Sequence, residues 1–553
     1  MSSSRQKATR PGALTRVPGR LRVIVDPGTH VRLLHGNREA PCRHGVPIPW
    51  PHREGTMPKP VMHGAEKSDS PVVPMMLANK AGRSAAEPGE GSGGTERNAR
   101  LQTTVRTQSR DAVSQARARI REAVTRNKKE KLTALLHHIS VDALRWAFLN
   151  LRKDAAPGID GLTWDDYAEN LEGNLADLHE RVHRGAYRAL PSRRRFIPKP
   201  DGRQRPLGIA ALEDKIVQAA VVAILTPIYE AEFLGFSYGF RPGRSQHDAL
   251  DALGYGIKGR YIWWVLDADI RSFFDTISHD WLIRFVEHRI GDTRIIRLIQ
   301  KWLKAGVLEE GQRSDTLEGT PQGAVISPLL ANIYLHYVYD LWVHAWRKRH
   351  ATGDLIVVRY ADDTIVGFQH RSDADSFLND LKERLARFSL TLHPEKTRLL
   401  EFGRFAARRR LKRGEGKPET FDFLGFTHIC GTKRNGQGFQ LRRKTQRKRR
   451  MAKLTAVAEE LRSRRHQTIR EQGQWLGAVL KGYYAYFAVP TNIASLRAMR
   501  HHVKVRWRMA LQQRSQRQRM GWRRMERLAD RYLPQPSILH PWPEQRFLVK
   551  HSR

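Results

Sequence analysis

Apolar positions along the chain change their period several times. Residues 111–131 place basic and apolar residues at helical spacing, and 131–153 follow with an amphipathic helical pattern. Residues 208–230 predict a further helix, with Ile216, Ala219, Ala220 and Val222 to Leu225 on its apolar face. At 261–270 the pattern becomes that of a strand, Tyr-Ile-Trp-Trp-Val-Leu, and 279–304 return to helix. Residues 355–368 predict two short strands around a tight turn, 371–388 a helix and 397–402 a strand. A basic, glycine-containing stretch from Arg404 to Lys417 interrupts. Beyond Phe426 the pattern predicts basic helix to about residue 530, then a Pro-rich aromatic segment from Leu533 to Phe547. Such alternation predicts an α+β fold, a small sheet covered by helices.

The first hundred or so residues show no such periodicity. Pro, Gly, Ser and Arg dominate, and a stretch such as Glu87 to Thr95 has too little apolar surface to offset its chain entropy. Residues 1–106 are therefore expected to be a disordered basic leader, 107–430 a first folded region, and 431–553 a helical region with a basic C-terminal segment.

Charge narrows the class of partner. Lys and Arg number 97 against 56 Asp and Glu, a net charge of +41. An excess of that size favours a polyanion, because each cation that neutralises a phosphate releases a counterion. No apolar stretch is long enough to span a bilayer, so no membrane role is expected. The two cysteines, Cys42 and Cys430, exclude a disulfide scaffold and a CxxC-type zinc site.

The candidate chemistry centres on three acids. Asp269 ends the strand-like run Leu266-Asp-Ala-Asp-Ile270, and Asp362 and Asp363 occupy the turn of the predicted hairpin, in Tyr360-Ala-Asp-Asp363. Adjacent ionised carboxylates repel unless a cation lies between them. Mg2+ suits them, because it binds a few carboxylates together with substrate phosphates. A third acid from a neighbouring strand makes room for two ions, one activating a 3′-hydroxyl and one stabilising pyrophosphate. An isolated Asp-Asp pair is more often just a polar turn, so the surrounding residues decide.

Those surroundings resemble the group II intron-encoded reverse transcriptases and maturases. The resemblance runs through Lys153-Asp-Ala-Ala-Pro-Gly-Ile-Asp-Gly-Leu-Thr163, Phe196 to Ile209, Gly235-Phe-Ser-Tyr-Gly-Phe-Arg-Pro-Gly-Arg-Ser245 and Asp269 to Asp275. It continues through Gly319 to Asn332, the Tyr-Ala-Asp-Asp turn, Leu392-His-Pro-Glu-Lys-Thr397 and Phe421-Asp-Phe-Leu-Gly-Phe426, in the family's order. It implies a right-hand polymerase, with fingers and palm around a small antiparallel sheet, followed by a helical thumb or maturase region. Asp269, Asp362 and Asp363 would hold two Mg2+ ions, with the Ile270 carbonyl as a further ligand. Lys199 and Arg205 would contact the triphosphate of an incoming nucleotide. Phe274 would crowd the 2′ position of its sugar, and Gln322 and Gly323 would border nucleotide and template. Only one of Phe273 and Phe274 is expected to face the site, Phe273 being the core residue.

In the C-terminal region, Arg447, Lys448, Arg449, Arg450, Arg506 and Arg508 are the candidate RNA contacts, and Tyr484 and Phe487 are expected to pack into a core. The resemblance implies intron RNA, an RNA template, a DNA primer or target and deoxynucleoside triphosphates as partners. It also implies a prokaryotic cytoplasmic ribonucleoprotein, with homodimerisation left open. No nuclease domain is recognisable after residue 547. Two alternatives stand beside this reading: a catalytically silent RNA-binding splicing factor, which the intact acid trio disfavours, and a retron-type or diversity-generating enzyme, which the long basic C-terminal segment disfavours.

Overall fold

Helix and sheet alternate as the pattern predicts, and the sheets are more numerous. The computed structural model describes residues 95–127, 130–198, 204–309, 312–314, 318–321, 323–514 and 520–550, within a unit spanning Pro71–Arg553. The expected leader therefore lies mostly outside the described residues, although helix already begins at Thr95.

The first half contains α1 (Thr95–Arg126), α2 (Val141–Asn150), α3 (Trp164–Glu169) and α4 (Leu171–His183). Strands β1 (Ser192–Pro198) and β2 (Gln204–Ile209) follow, then α5 (Leu212–Glu230), α6 (Gln246–Gly259) and β3 (Trp264–Asp269). Next come α7 (His279–Arg289), α8 (Thr293–Lys304), β4 (Val307–Glu309), β5 (Gln312–Ser314), α9 (Ser327–Leu335) and α10 (Leu341–Arg349). Strands β6 (Leu355–Tyr360) and β7 (Asp363–Phe368) form the predicted hairpin, followed by α11 (Arg371–Ala386), β8 (Arg398–Glu401) and α12 (Ala406–Lys412). After β9 (Phe421–Phe423), β10 (Phe426–Thr432) and β11 (Phe439–Thr445), the chain is helical: α13 (Arg447–Ser463), α14 (Ile469–Phe487), α15 (Ile493–Gln512), α16 (Trp522–Tyr532) and α17 (Pro543–Lys550).

Four expectations need correction. Residues 204–209 are strand, so the helix expected from 208 begins at Leu212. The helix expected over 279–304 is two, because the Asp292 side chain accepts from the Arg294 amide and caps a new start there. The segment after Phe426 is first a strand pair, β10 and β11, and only then helix. Its alternating inward residues (Leu441, Arg443 and Thr445 are buried) include a buried arginine, which hides the period of two. The basic helix expected from Arg497 to Arg527 is divided between α15 and α16.

The sheet that matters has the order β6-β7-β3-β8, antiparallel throughout. It separates two cores. Leu266, Ala268, Val366 and Phe368 belong to the core formed with α2, α5 and α7 to α11. Val265, Ile365, Val358 and Leu400 belong to the core formed with α6, β9 to β11 and α13 to α16. Alternate strand residues face opposite sides, so Asp267 and Asp269 share the face of Val265, and Asp363 shares that of Ile365. The acids therefore open on the side of the basic C-terminal helices. Among the described residues, no helix is long and apolar enough to cross a membrane.

Candidate functional site

Strand register brings the acids together. Asp269, the last residue of β3, is the cross-strand partner of Asp363, the first of β7, and Asp363 is in turn opposite Tyr360 of β6. Cα atoms of such antiparallel partners lie about 4.5–5.5 Å apart. Ala361 and Asp362 make the two-residue turn, with Ala361 in the left-handed region at φ 56. Solvent reaches Asp363, yet dense protein surroundings and the nearby carboxylates of Asp362, Asp269 and Asp267 push its pKa up to about 7. Burial likewise raises Asp267 to about 6, against the opposing pull of Arg398. This is a concentration of negative charge that its neighbouring cations offset only in part. Lys396 offsets part of it by pairing with the Asp269 carboxylate.

Among the described residues, no three His, Cys, Asp or Glu side chains form a ready-made metal cage. Acidic oxygens crowded at a strand end, with raised proton affinity, fit a hard divalent cation that completes its shell with substrate oxygens. The main chain around them is fixed. The Asp269 carbonyl accepts from the His393 amide at 2.7 Å, and the Arg271 amide donates to the Thr391 carbonyl at 2.8 Å. Ile270 is buried and bridges Leu392.

The turn is held from behind by a buried cluster centred on Arg359, whose partners come from distant parts of the chain. Arg359 is fully buried. Its guanidinium donates to both carboxylate oxygens of Asp340, to the Asn332 side-chain oxygen at 3.1 Å, to the Ser237 hydroxyl at 2.7 Å and to the Ala361 carbonyl at 2.9 Å. Asp340 ends a π-helical turn, His336–Asp340, between α9 and α10. Such turns insert one residue into a helix and recur at functional sites. The Asn332 side chain also donates to the Gly239 carbonyl at 2.7 Å. Gly239 packs so closely that a Cβ there would lie 2.2 Å from the Ala361 nitrogen. Phe240 follows at φ 58 with 47% of its surface exposed. Left-handed backbone at a bulky aromatic residue costs of order 1–3 kcal/mol and persists only where the surroundings impose it.

The other candidate residues fall in different places. Phe273 is buried and Phe274 is half-buried, in a 3-10 turn and not a strand. The Thr320 amide donates to the Phe274 carbonyl at 2.8 Å, which ties this turn to the loop before α9. In that loop Gly323 has φ 114, and a Cβ there would meet the Gly208 carbonyl of β2 at 2.6 Å. Gln322 and Lys199 lie outside the described residues. Arg205 is described by its backbone alone, on β2 opposite Ile197.

On the basic side, Arg447 and Lys448 line an open groove of about 580 Å³ with Arg398, Asp422, Thr427 and Met451. Arg449 is exposed and near enough to Asp363 to oppose the rise in its pKa, and Arg450 is half-buried. Arg508 stacks over Trp522 at 4.4 Å and donates to the Met520 carbonyl, so it also serves the junction of α15 and α16. Arg506 is half-buried on α15. Tyr484 and Phe487 are buried, as their helical spacing predicted, and Tyr483 is buried with them.

Residues 197–428, which contain all three acids, match the model of the reverse transcriptase (RNA-dependent DNA polymerase) family. The chain carries a reverse transcriptase domain. Several relatives match parts of the chain. The group II intron-encoded protein LtrA of Lactococcus lactis is 38% identical over 224 residues, 39% of this chain and 37% of that protein. Protein YkfC of Escherichia coli is 42% identical over 194 residues, 34% of this chain and 50% of that protein. Nuclear intron maturase 3, mitochondrial, of Arabidopsis thaliana is 28% identical over 194 residues, 32% of this chain and 26% of that protein. The aligned stretches thus span between 26% and 50% of these relatives. The match to the reverse transcriptase domain ends within β10, so the helices from α13 onward lie beyond it.

Proposed function

We propose that this chain is the reverse transcriptase and maturase of a group II intron. It extends a primer 3′-hydroxyl with deoxynucleoside triphosphates on an RNA template, and it binds intron RNA to assist splicing and mobility. The observation that carries the proposal is the register of Asp269 against Asp363 at the tip of the Tyr360–Asp363 hairpin, on the sheet face turned toward the basic helices. In this reading residues 107–430 are fingers and palm, 431–553 are thumb and maturase region, and the protein works in a cytoplasmic ribonucleoprotein.

Asp269, Asp362 and Asp363 would hold Mg2+, with the Ile270 carbonyl completing the set. Bound there, such ions would lower the pKa of the primer hydroxyl and stabilise the leaving pyrophosphate. The protein's own part is placement. The Arg359 cluster fixes the turn that carries Asp362 and Asp363, and the His393 and Thr391 contacts fix the end of β3. Phe274, on a turn tied to the loop of Gly323, would crowd the 2′ position of the sugar. Arg205, on β2, and Lys199 would meet the triphosphate. Arg447, Lys448, Arg449 and Arg450 follow the phosphates of duplex or intron RNA away from the acids.

Primer extension on an RNA template tests the reading, with Asp362→Asn as the control and RNA binding measured in parallel. Mg2+-dependent extension by the wild-type chain that disappears in Asp362→Asn, with RNA affinity retained, is expected. Intact RNA binding without wild-type extension would leave an RNA-binding splicing factor.

A further inference from the structure

The strained aromatic beside the acidic turn has no role in the scheme above. We propose that Phe240 is a nucleobase-stacking residue, its ring presented beside the Ala361–Asp362 turn to an unpaired base of template or incoming nucleotide. The inference rests on the polymerase reading.

Phe240 is over-determined on both sides. Before it, the Gly239 carbonyl accepts from Asn332, and its Cα packs against the Ala361 nitrogen. Tyr238 and Phe236 are stitched to the backbone of Arg359, through the Tyr238 amide to the Arg359 carbonyl at 2.8 Å and the Arg359 amide to the Phe236 carbonyl at 2.9 Å. After it, Arg241 is buried, pairs with Glu230 at 2.9 Å and donates to the carbonyls of Leu234 and Ser237 at 2.8 Å. The segment is therefore rigid, and φ 58 at Phe240 is imposed from outside.

Glycine would satisfy that backbone without strain, and a polar residue would suit an exposed position better. A large apolar ring stands there, and no ring contact to it occurs among the described residues. Nearly half of Phe240 is open to solvent, and it sits one residue from a backbone in contact with the turn that bears Asp362. Bases unpaired at such a place stack readily on aromatic rings, whatever their sequence, because every base has a π-face.

Phe240→Gly separates this role from a structural one. Relief of the positive φ should hold or raise the melting temperature. Loss of the ring should weaken use of the base roughly 5- to 100-fold, and Phe240→Tyr should restore it. Two arms identify the source of the base. If the template supplies it, affinity falls for a primer–template with a single-stranded RNA overhang and is unchanged for a blunt duplex. If the nucleotide supplies it, KM for the deoxynucleoside triphosphate rises. Loss in either arm with Tyr rescue upholds the proposal. A Phe240→Gly protein unchanged in both arms, or a Phe240→Tyr protein as impaired as the glycine variant, overturns it. Failure of the wild-type chain to extend any primer would instead defeat the polymerase reading, and the overhang-binding arm would still report on stacking.

Discussion

Two buried charge clusters, one behind the acidic turn and one under the C-terminal helices, are built with opposite polarity. Behind the turn a single arginine, Arg359, is surrounded by acceptors, and Asp340 is its counter-charge. Under the helices a single acid, Asp251 of α6, meets two arginines, Arg443 of β11 at 3.2 Å and Arg546 of α17 at 2.7 Å. The first cluster acts over a short span of structure and fixes the direction of a turn. The second joins segments almost three hundred residues apart, together with the Lys258–Glu544 pair at 2.6 Å and the stacked rings of Tyr255 and Phe547. In a chain carrying +41 charges, acids are scarce. Where one is buried it organises the backbone, and where several gather near solvent they form the candidate site.

The comparison predicts that the exposed acids serve activity and the buried ones stability. The largest effect is expected from Asp363→Asn, which should lower primer extension by roughly four orders of magnitude, about 5 kcal/mol of barrier, while the unfolding midpoint holds. A coincident drop in melting temperature would blur the distinction. Next, Arg359→Met should cost about 4 kcal/mol of stability in denaturant titrations, because it strands the Asp340 carboxylate in the core. Arg359→Met combined with Asp340→Leu should recover much of that stability without recovering extension, since the Ala361 carbonyl stays unheld. Asp251→Asn should cost about 2 kcal/mol, and the loss should be local. Limited proteolysis should then cut near residues 533–550 well before the sheet is attacked.

The smallest effect concerns pH. Asp292 accepts from the Leu135 and Leu136 amides at 2.9 Å and from Arg294, and these bonds outweigh its burial and hold its pKa at about 2. A carboxylate held below its unfolded value stabilises the fold above that value, near 4. The contribution is lost as pH falls toward 2. The stability gap between wild type and Asp292→Asn should therefore be constant at neutral pH and should close between about pH 4 and pH 2. A gap independent of pH would mean that the capping bonds carry no charge component.

The sequence was most legible where periodicity and chemistry coincided. The hairpin of β6 and β7, the end of β3 and the helical spacing of Tyr484 and Phe487 all appear where the pattern put them. It was least legible where a long-range partner replaces a local signal. Arg443 reads as one more basic residue, yet it is buried because Asp251, far earlier in the chain, meets it there. Arg359 interrupts an apolar strand for the same reason, and nothing local announces that Asp340 will reach it from a π-turn. Phe240 lies within the Gly235–Ser245 motif, but its positive φ is a property of the folded backbone alone.

The clamp on α6 has a consequence for how the molecule is made. Lys258 and Glu544 are 286 residues apart. A ribosome moving at about 5–20 residues per second needs roughly fifteen seconds to a minute to traverse that interval. Through that time the nascent helix bearing Asp251 has left the exit tunnel without its final clamp.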